Sequence, residues 1–265
     1  MKKFSFTRKH LAIPYAVFLV VFVIIPLFII VYYALSSQTG GFTINNFIKA
    51  FAEMNALKIL LRSLLFALLT SIICFLIAYP VAFILSNPKF NRSYVTVLLF
   101  VLPMWINFLL RTLAIRNIFE VFGVSRGYIP ALLGTAYDFL PFMILPIYTT
   151  LANIDKSLAE ASADLGATPA RTFFKVTFPL SLPGVISGTI MVFMPTVSSF
   201  AIPQILGKNL VLFGEMIDIG FTNGSRYVGS AMSLIMLILV GASVFVANKF
   251  AKKQGGIAEI KGGAW

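Results

Sequence analysis

An aspartate and an arginine stand in or beside the most apolar stretches of this sequence, where ionisable side chains are costly unless something uses or neutralises them. Asp138 interrupts the run Tyr128 to Ile154, and Arg111 directly follows the run Tyr94 to Leu110. A carboxylate facing a wet vestibule would receive an ammonium; facing the guanidinium, it would neutralise it or share the headgroup region with it. Both readings stand at this level. Trp105, deep in the third apolar run, offers plain packing or a π face over which a cation sits. Pro195 and Pro203 interrupt VFMPTVSSFAIPQ and free backbone groups that hydrocarbon cannot satisfy. Ser198, Ser199, Phe200 and Gln204 fall at that interruption. A kinked helix there either bonds its serines to its own carbonyls or turns hydroxyls and a ring toward a wet path.

Covalent and metal chemistry have little to draw on. His10 is the single histidine and Cys74 the single cysteine, which leaves no Ser-His-Asp arrangement, no metal cluster and no disulfide within one chain. A phosphate-cradling loop is missing too, because Gly207-Lys208 is followed by Asn209 and lacks the earlier glycine. The chain is expected to be no enzyme, to hold no cofactor or metal, and to draw energy from another polypeptide or an ion gradient.

The elements that must position these groups are membrane spans. Of the 265 residues 59% are hydrophobic and 11% charged, with mean hydropathy +0.93, whereas a soluble domain carries about 25% charge. Runs long enough to cross a bilayer cover Leu11 to Leu35, Leu64 to Leu85, Tyr94 to Leu110, Tyr128 to Ile154, Pro183 to Gly207 and Tyr227 to Asn248. Six transmembrane helices are predicted. The first apolar core is too long for a signal h-region and is expected to remain as a span. Lys2, Lys3, Arg8 and Lys9 precede the first run, Lys156, Arg171 and Lys175 follow the fourth, and Lys249, Lys252 and Lys253 close the last. That bias puts both termini in the cytoplasm. It also accounts for the +12 net charge without nucleic acid. Glu120, Glu215 and Asp218 then fall on the outer side, as solvated loop charges or as groups that receive a cation or dock its carrier.

Between the fourth and fifth runs lies EASADLGATPARTFFKVTFPLSLPG, polar and punctuated. Leu158, Ala161, Ser162 and Leu165 recur at helical spacing, Gly166 stands where a helix end takes positive φ, and Thr168 with Pro169 reads as a cap and first turn. A second helix is predicted to run to Pro179, with Ser181 and Pro183 launching the fifth span. Phe173, Phe174 and Phe178 fold back on the membrane core or serve a rigid elbow for a cytosolic partner. In the elbow reading Ala161, Ser162, Ala163 and Gly166 allow close approach, and Glu160, Asp164 and Arg171 supply charged contacts.

Glu160, Ala161, Ser162, Gly166, Phe178 and Pro179 together resemble the EAA loop of membrane subunits of binding-protein-dependent ATP-binding-cassette importers. That pattern runs EAA, three residues, G, nine residues, I-x-L-P; Ser162 replaces an alanine, and Val176 and Phe178 stand at the Ile and Leu positions. The stretch from Trp105 to Val185, with FLLRTLA and FPLSLPGV, is similar to the first permease subunit of spermidine/putrescine importers. The resemblance implies an all-α integral membrane protein of type I importer architecture in the bacterial cytoplasmic membrane. A tail over 1–10, a permease domain over 11–250 with the coupling loop at 152–182, and a tail over 251–265 are expected. It further implies two cytosolic ATPases that bind ATP and Mg, a second homologous permease subunit, an extracytoplasmic solute-binding protein and polyamine cargo. Glu160 and Gly166 would form the core of the ATPase contact, beside Ala161, Ser162, Asp164, Arg171 and Pro179. Permeases for sulfate, molybdate, ferric iron or phosphate share the elbow and form the alternative; an ion-coupled secondary transporter would show internal repeats and an acidic relay.

Overall fold

The computed structural model describes residues 12–38, 40–53, 55–87, 94–222 and 226–262. Among them no named strand occurs; one isolated bridge joins Ser36 to Phe42. Five helices are long and apolar enough to span a membrane: α1 (Ile13–Ala34), α3 (Ala56–Ser86), α6 (Tyr128–Ala152), α8 (Pro169–Ser198) and the first part of α11 (Arg226–Gly262). A sixth crossing exists only as a broken pair. Helix α4 (Tyr94–Val101) runs into a 3₁₀ turn (Leu102–Trp105), after which α5 (Phe108–Val121) departs with a bend of 91°. Shorter helices α2 (Asn45–Glu53), α7 (Lys156–Asp164), α9 (Ala201–Leu206) and α10 (Phe213–Thr222) complete the order. The expected tail 1–10 lies outside the described residues, as do 263–265, whereas 251–262 continue α11 as helix.

The chain divides into two compact units, Met1–Leu57 with Met216–Ile238, and Lys58–Glu215 with Leu239–Trp265. In the first, the Asn46 amide donates to the carbonyls of Ala34 and Ser36, each at 2.9 Å, tying the start of α2 to the end of α1. Tyr33 meets the ring of Tyr227 edge-on, and the Arg226 guanidinium lies 5.8 Å from the Tyr33 centroid.

The second unit holds the main core. Cys74, Ala78, Tyr79 and Ala82 of α3 pack with Met143, Ile144 and Ile147 of α6 and Val192 of α8. Helix α8 lies along α6 because glycines permit it: a Cβ at Gly184 would stand 2.6 Å from the Pro146 carbonyl oxygen, and one at Gly188 would stand 2.8 Å from Met143 Sδ. Small residues four apart let backbones approach this closely in a membrane, where packing rather than hydrophobic exclusion drives association.

Two π turns share one cause. Val20–Ile24 is followed by Ile25-Pro26, and Phe173–Thr177 by Phe178-Pro179. A proline ring clashes with the carbonyl four residues back and lacks an N–H for it. Widening the preceding turn makes room, and the residue before each proline donates five back, Ile25 to Val20 and Phe178 to Phe173. The expected helix end at Pro179, and the cap-then-proline start at Ser181 and Pro183, are therefore corrected: α8 runs unbroken through all three. Ser181 Oγ donates to the Phe178 carbonyl at 2.8 Å, so the 2.9 Å contact with Tyr79 is a hydrogen bond donated by the phenol.

Candidate functional site

Helix α8 ends at Ser198 and α9 begins at Ala201, so Ser199 and Phe200 form a short break. This break faces the one between α4 and α5. There Asn107 caps α5, its side chain accepting from the Leu109 N–H at 2.9 Å. Two broken helices leave a cavity of about 500 Å³, walled by Trp105, Asn107, Phe108, Arg111, Asp138, Phe139, Phe142, Pro195, Ser198, Ser199 and Phe200 among others. Non-helical backbone at membrane depth is tolerated where it lines such a cavity.

Trp105, Asp138, Ser198, Ser199 and Phe200, which the sequence singled out separately, thus share one wall. Gln204 does not join them; it is exposed on α9. Trp105 is corrected from a residue deep in a straight span to the corner of a broken one, 80% exposed within this chain. Ser198 satisfies its hydroxyl on its own helix, donating to Met194 and Pro195 carbonyls at 3.2 and 3.3 Å. The same serine stands on the cavity wall.

On the cavity wall Asp138 and Arg111 pair, as one of the two sequence readings had it, and both are buried within the protein. Asp138 Oδ2 accepts a hydrogen bond from Thr112 Oγ1 at 2.7 Å. Oδ1 lies 3.3 Å from Arg111 Nε, an ion-pair distance without hydrogen-bond alignment. The terminal guanidinium nitrogens reach the Asp138 carbonyl only at 3.5 Å, and the group lies 5.9 Å from the Tyr137 ring centroid. Thr112 escaped sequence reasoning, although it sits one helical turn past Phe108, whose carbonyl, 2.8 Å away, shares its single hydroxyl proton with Asp138. Asn107 carried a usable signal, since a cap residue between two apolar stretches marks a helix start.

At the opposite end of α8 lies the elbow. Asp155 caps α7 by accepting from the Ser157 N–H at 2.9 Å, which holds its carboxyl below the usual aspartate range. Helix α7 closes with Gly166 at φ +77°, Gly166 N–H donating to Ala163 and Ala167 N–H to Ser162, a left-handed cap with both of its characteristic bonds. Thr168 then caps the start of α8 from Arg171 N–H at 3.3 Å. Ser162 Oγ and Thr172 Oγ1 meet at 3.0 Å and tie α7 to α8. Glu160, Ala161, Asp164, Gly166, Arg171 and Pro179 are all exposed, and Leu165 is 90% exposed. Phe173 and Phe178 fold back on Tyr79, while Phe174 points outward.

A cavity among membrane spans, joined by one helix to an exposed and doubly capped corner, is the layout of a transport permease. The chain belongs to the family described as binding-protein-dependent transport system inner membrane component, matched over residues 10–253. Among similar proteins, the spermidine/putrescine transport system permease protein PotB of Haemophilus influenzae is 32% identical over 280 residues, spanning 94% of this chain and 96% of that one. The protein of the same name from Escherichia coli is 28% identical over 229 residues, spanning 77% and 81%. A chain of a bacterial alginate ABC transporter, solved with its alginate-bound periplasmic protein, superposes with TM-score 0.72 at 13% identity over 92% of this chain and 93% of its own. A chain of the inward-facing MetNI methionine ABC transporter gives 0.60 at 21%, over 75% and 95%. At such identities these structures speak to the fold, which is the type I importer permease fold.

Proposed function

We propose that this chain is a polyamine permease subunit, half of a translocation pathway, whose cavity receives aliphatic ammonium groups on Asp138 beneath the aromatic faces of Trp105 and Phe200. The observation that carries this reading is the gathering of one carboxylate, open ring faces and hydroxyls in a single cavity. Likeness to the spermidine/putrescine permease over almost the whole chain supports it. Arg111, the feature that kept an anion carrier open as the alternative, lies against Asp138, so the resting pair offers an anion no unopposed cation. A stack of charged amine, ring face and carboxylate in a desolvated pocket is the chemistry that recognises an organic cation.

The elbow is the seat for a cytosolic ATPase. Glu160, Gly166, Asp164 and Arg171 are exposed on a corner held at both helix ends and across the corner by Ser162 and Thr172. Two such ATPases supply ATP and Mg, a second homologous permease completes the path, and an extracytoplasmic binding protein delivers cargo; both termini lie inside. Purification of the complex with its ATPases and sister permease, followed by ATPase assays with candidate cargoes delivered by the binding protein, tests the assignment. Stimulation by spermidine or putrescine, weakened by Trp105→Ala, is the expected result; stimulation by sulfate or phosphate instead overturns it.

A further inference from the structure

The Arg111–Asp138 pair is more than charge neutralisation. Both side chains are buried, at 6% and 0% exposure, yet neither Arg111 Nε nor Asp138 Oδ1 has a hydrogen-bond partner among the described residues. Burying two charges is repaid only when geometry is good and the remaining lone pairs and protons are satisfied. Here one carboxylate oxygen meets the Thr112 hydroxyl, and the other, buried behind the cavity wall that Asp138 and Arg111 share, keeps an unused acceptor site. The guanidinium already lies over the half-open Tyr137 ring, 5.9 Å from its centroid, so it keeps one partner when it gives up Oδ1.

The geometry points to Arg111 as a tethered counter-cation that an entering substrate ammonium displaces from Asp138 and that returns to expel it. This rests on the reading of the cavity as a polyamine path and adds how the cargo is held and released. A primary ammonium is compact and carries three donors, so it completes the Oδ1 bond that the misaligned Nε leaves unmade. With the ammonium seated and the guanidinium retained only by Tyr137, the pocket holds two cations against one carboxylate. Their repulsion sets an upper limit on affinity, which a transport path needs if cargo is to leave it. No bond is made or broken; the exchange is of partners on one carboxylate.

Two substitutions at one position move the affinity in opposite directions. In the complete importer reconstituted in liposomes with its ATPases, sister permease and binding protein, Arg111→Gln removes the competitor. The KM for spermidine is expected to fall by about tenfold, with kcat reduced because release slows. Arg111→Lys places a tethered primary ammonium on the same oxygen, and the KM is expected to rise. A purely structural pair predicts the reverse ordering: Lys close to wild type, and Gln poorly assembled with an unchanged KM in whatever complex survives. That outcome, or a KM unmoved by either variant, overturns the exchange while leaving polyamine transport intact. Should the wild-type complex transport no polyamine at all, the functional reading fails first and the exchange with it. If Arg111→Gln does not assemble, Arg111→Lys alone decides by the direction of its KM.

Discussion

Replacing Gly184 by alanine tests the contact that fixes α8 against α6. The new Cβ would lie 2.6 Å from the Pro146 carbonyl oxygen and 2.8 Å from Thr150 Cβ, where ordinary contact begins near 3.4 Å. Thr150 Oγ1, 2.5 Å from the same point, can rotate away, but it then gives up its 2.9 Å hydrogen bond to Pro146. The carbonyl has less freedom, since it belongs to the backbone and also accepts from Thr149 Oγ1 at 3.0 Å. Relief therefore requires the two helices to part by roughly an ångström, and overpacking of this kind costs about 1–3 kcal/mol. The lost hydroxyl bond adds about 1 kcal/mol. A total of about 2–4 kcal/mol should lower the melting temperature of the purified permease complex by about 5–10 °C. Gly241→Ala is the control, because nothing lies within 4 Å of its Cβ, and it should melt at or slightly above wild type. If Gly184→Ala melts within a degree of wild type, α6 and α8 do not touch there and the close-approach argument is wrong.

Gly166→Ala meets no neighbour within 4 Å, so its whole effect is the strain of φ +77° on an L-residue, about 1 kcal/mol; transport per ATP hydrolysed should fall, and Gly166→Asn should lie between alanine and wild type. Ser162→Ala, Thr172→Ala and the double variant should each cost about 0.5–1 kcal/mol, the double no more than either single, because one hydroxyl bridge is lost in all three; additive costs in thermal melts would show that the bridge does not form. The Asp155 carboxyl is held below its ordinary value by the Ser157 N–H, so its cap is intact above the unfolded aspartate pKa and is lost as pH falls through the lower folded value. Amide exchange in α7 should accelerate across that acid window in the wild type, and Asp155→Asn, an equally good cap, should remove the pH dependence while keeping protection at neutral pH.

Much of this arrangement could be read from local chemistry. Gly166, Thr168 and Pro169 announce their backbone roles by residue type, because few residues tolerate positive φ and few can both cap and start a helix, and the structure uses all three so. Asp138 and Arg111 were legible as a costly pair, but which of their possible environments they occupy depends on Thr112 and on the corner at Asn107, which no periodicity reports. Apolar runs mark where chain meets hydrocarbon without saying whether it stays straight: the third run bends by 91° at a capping asparagine, and the fifth ends early at Ser198. Proline misled in the other direction. At Pro179 a break was expected, whereas a π turn absorbs the missing donor, and whether that is worthwhile is decided by what the neighbouring rings gain from packing on Tyr79.

That absorbed proline matters for how the two ends of α8 communicate. A helix of thirty residues is about 45 Å long, and this one begins at the Thr168 cap of the elbow and ends at Ser198 on the cavity wall. Had Pro179 ended one helix and Ser181 begun another, a displacement at the corner would be taken up by loop torsions before reaching the membrane. Instead the π turn keeps the backbone hydrogen-bonded across the proline, Tyr79 pins the following turn through Ser181, and the close approach at Gly184 and Gly188 holds α8 to α6, the helix that carries Asp138. Movement of the elbow must then either slide α8 along α6, shifting Ser198 relative to Asp138, or carry the two helices together. A crosslink between cysteines placed at 185 and 147, which belong to the core cluster that α8 and α6 share, separates these outcomes: if α8 slides, it blocks transport and spares ATPase activity, and if the two helices move as one body, both survive.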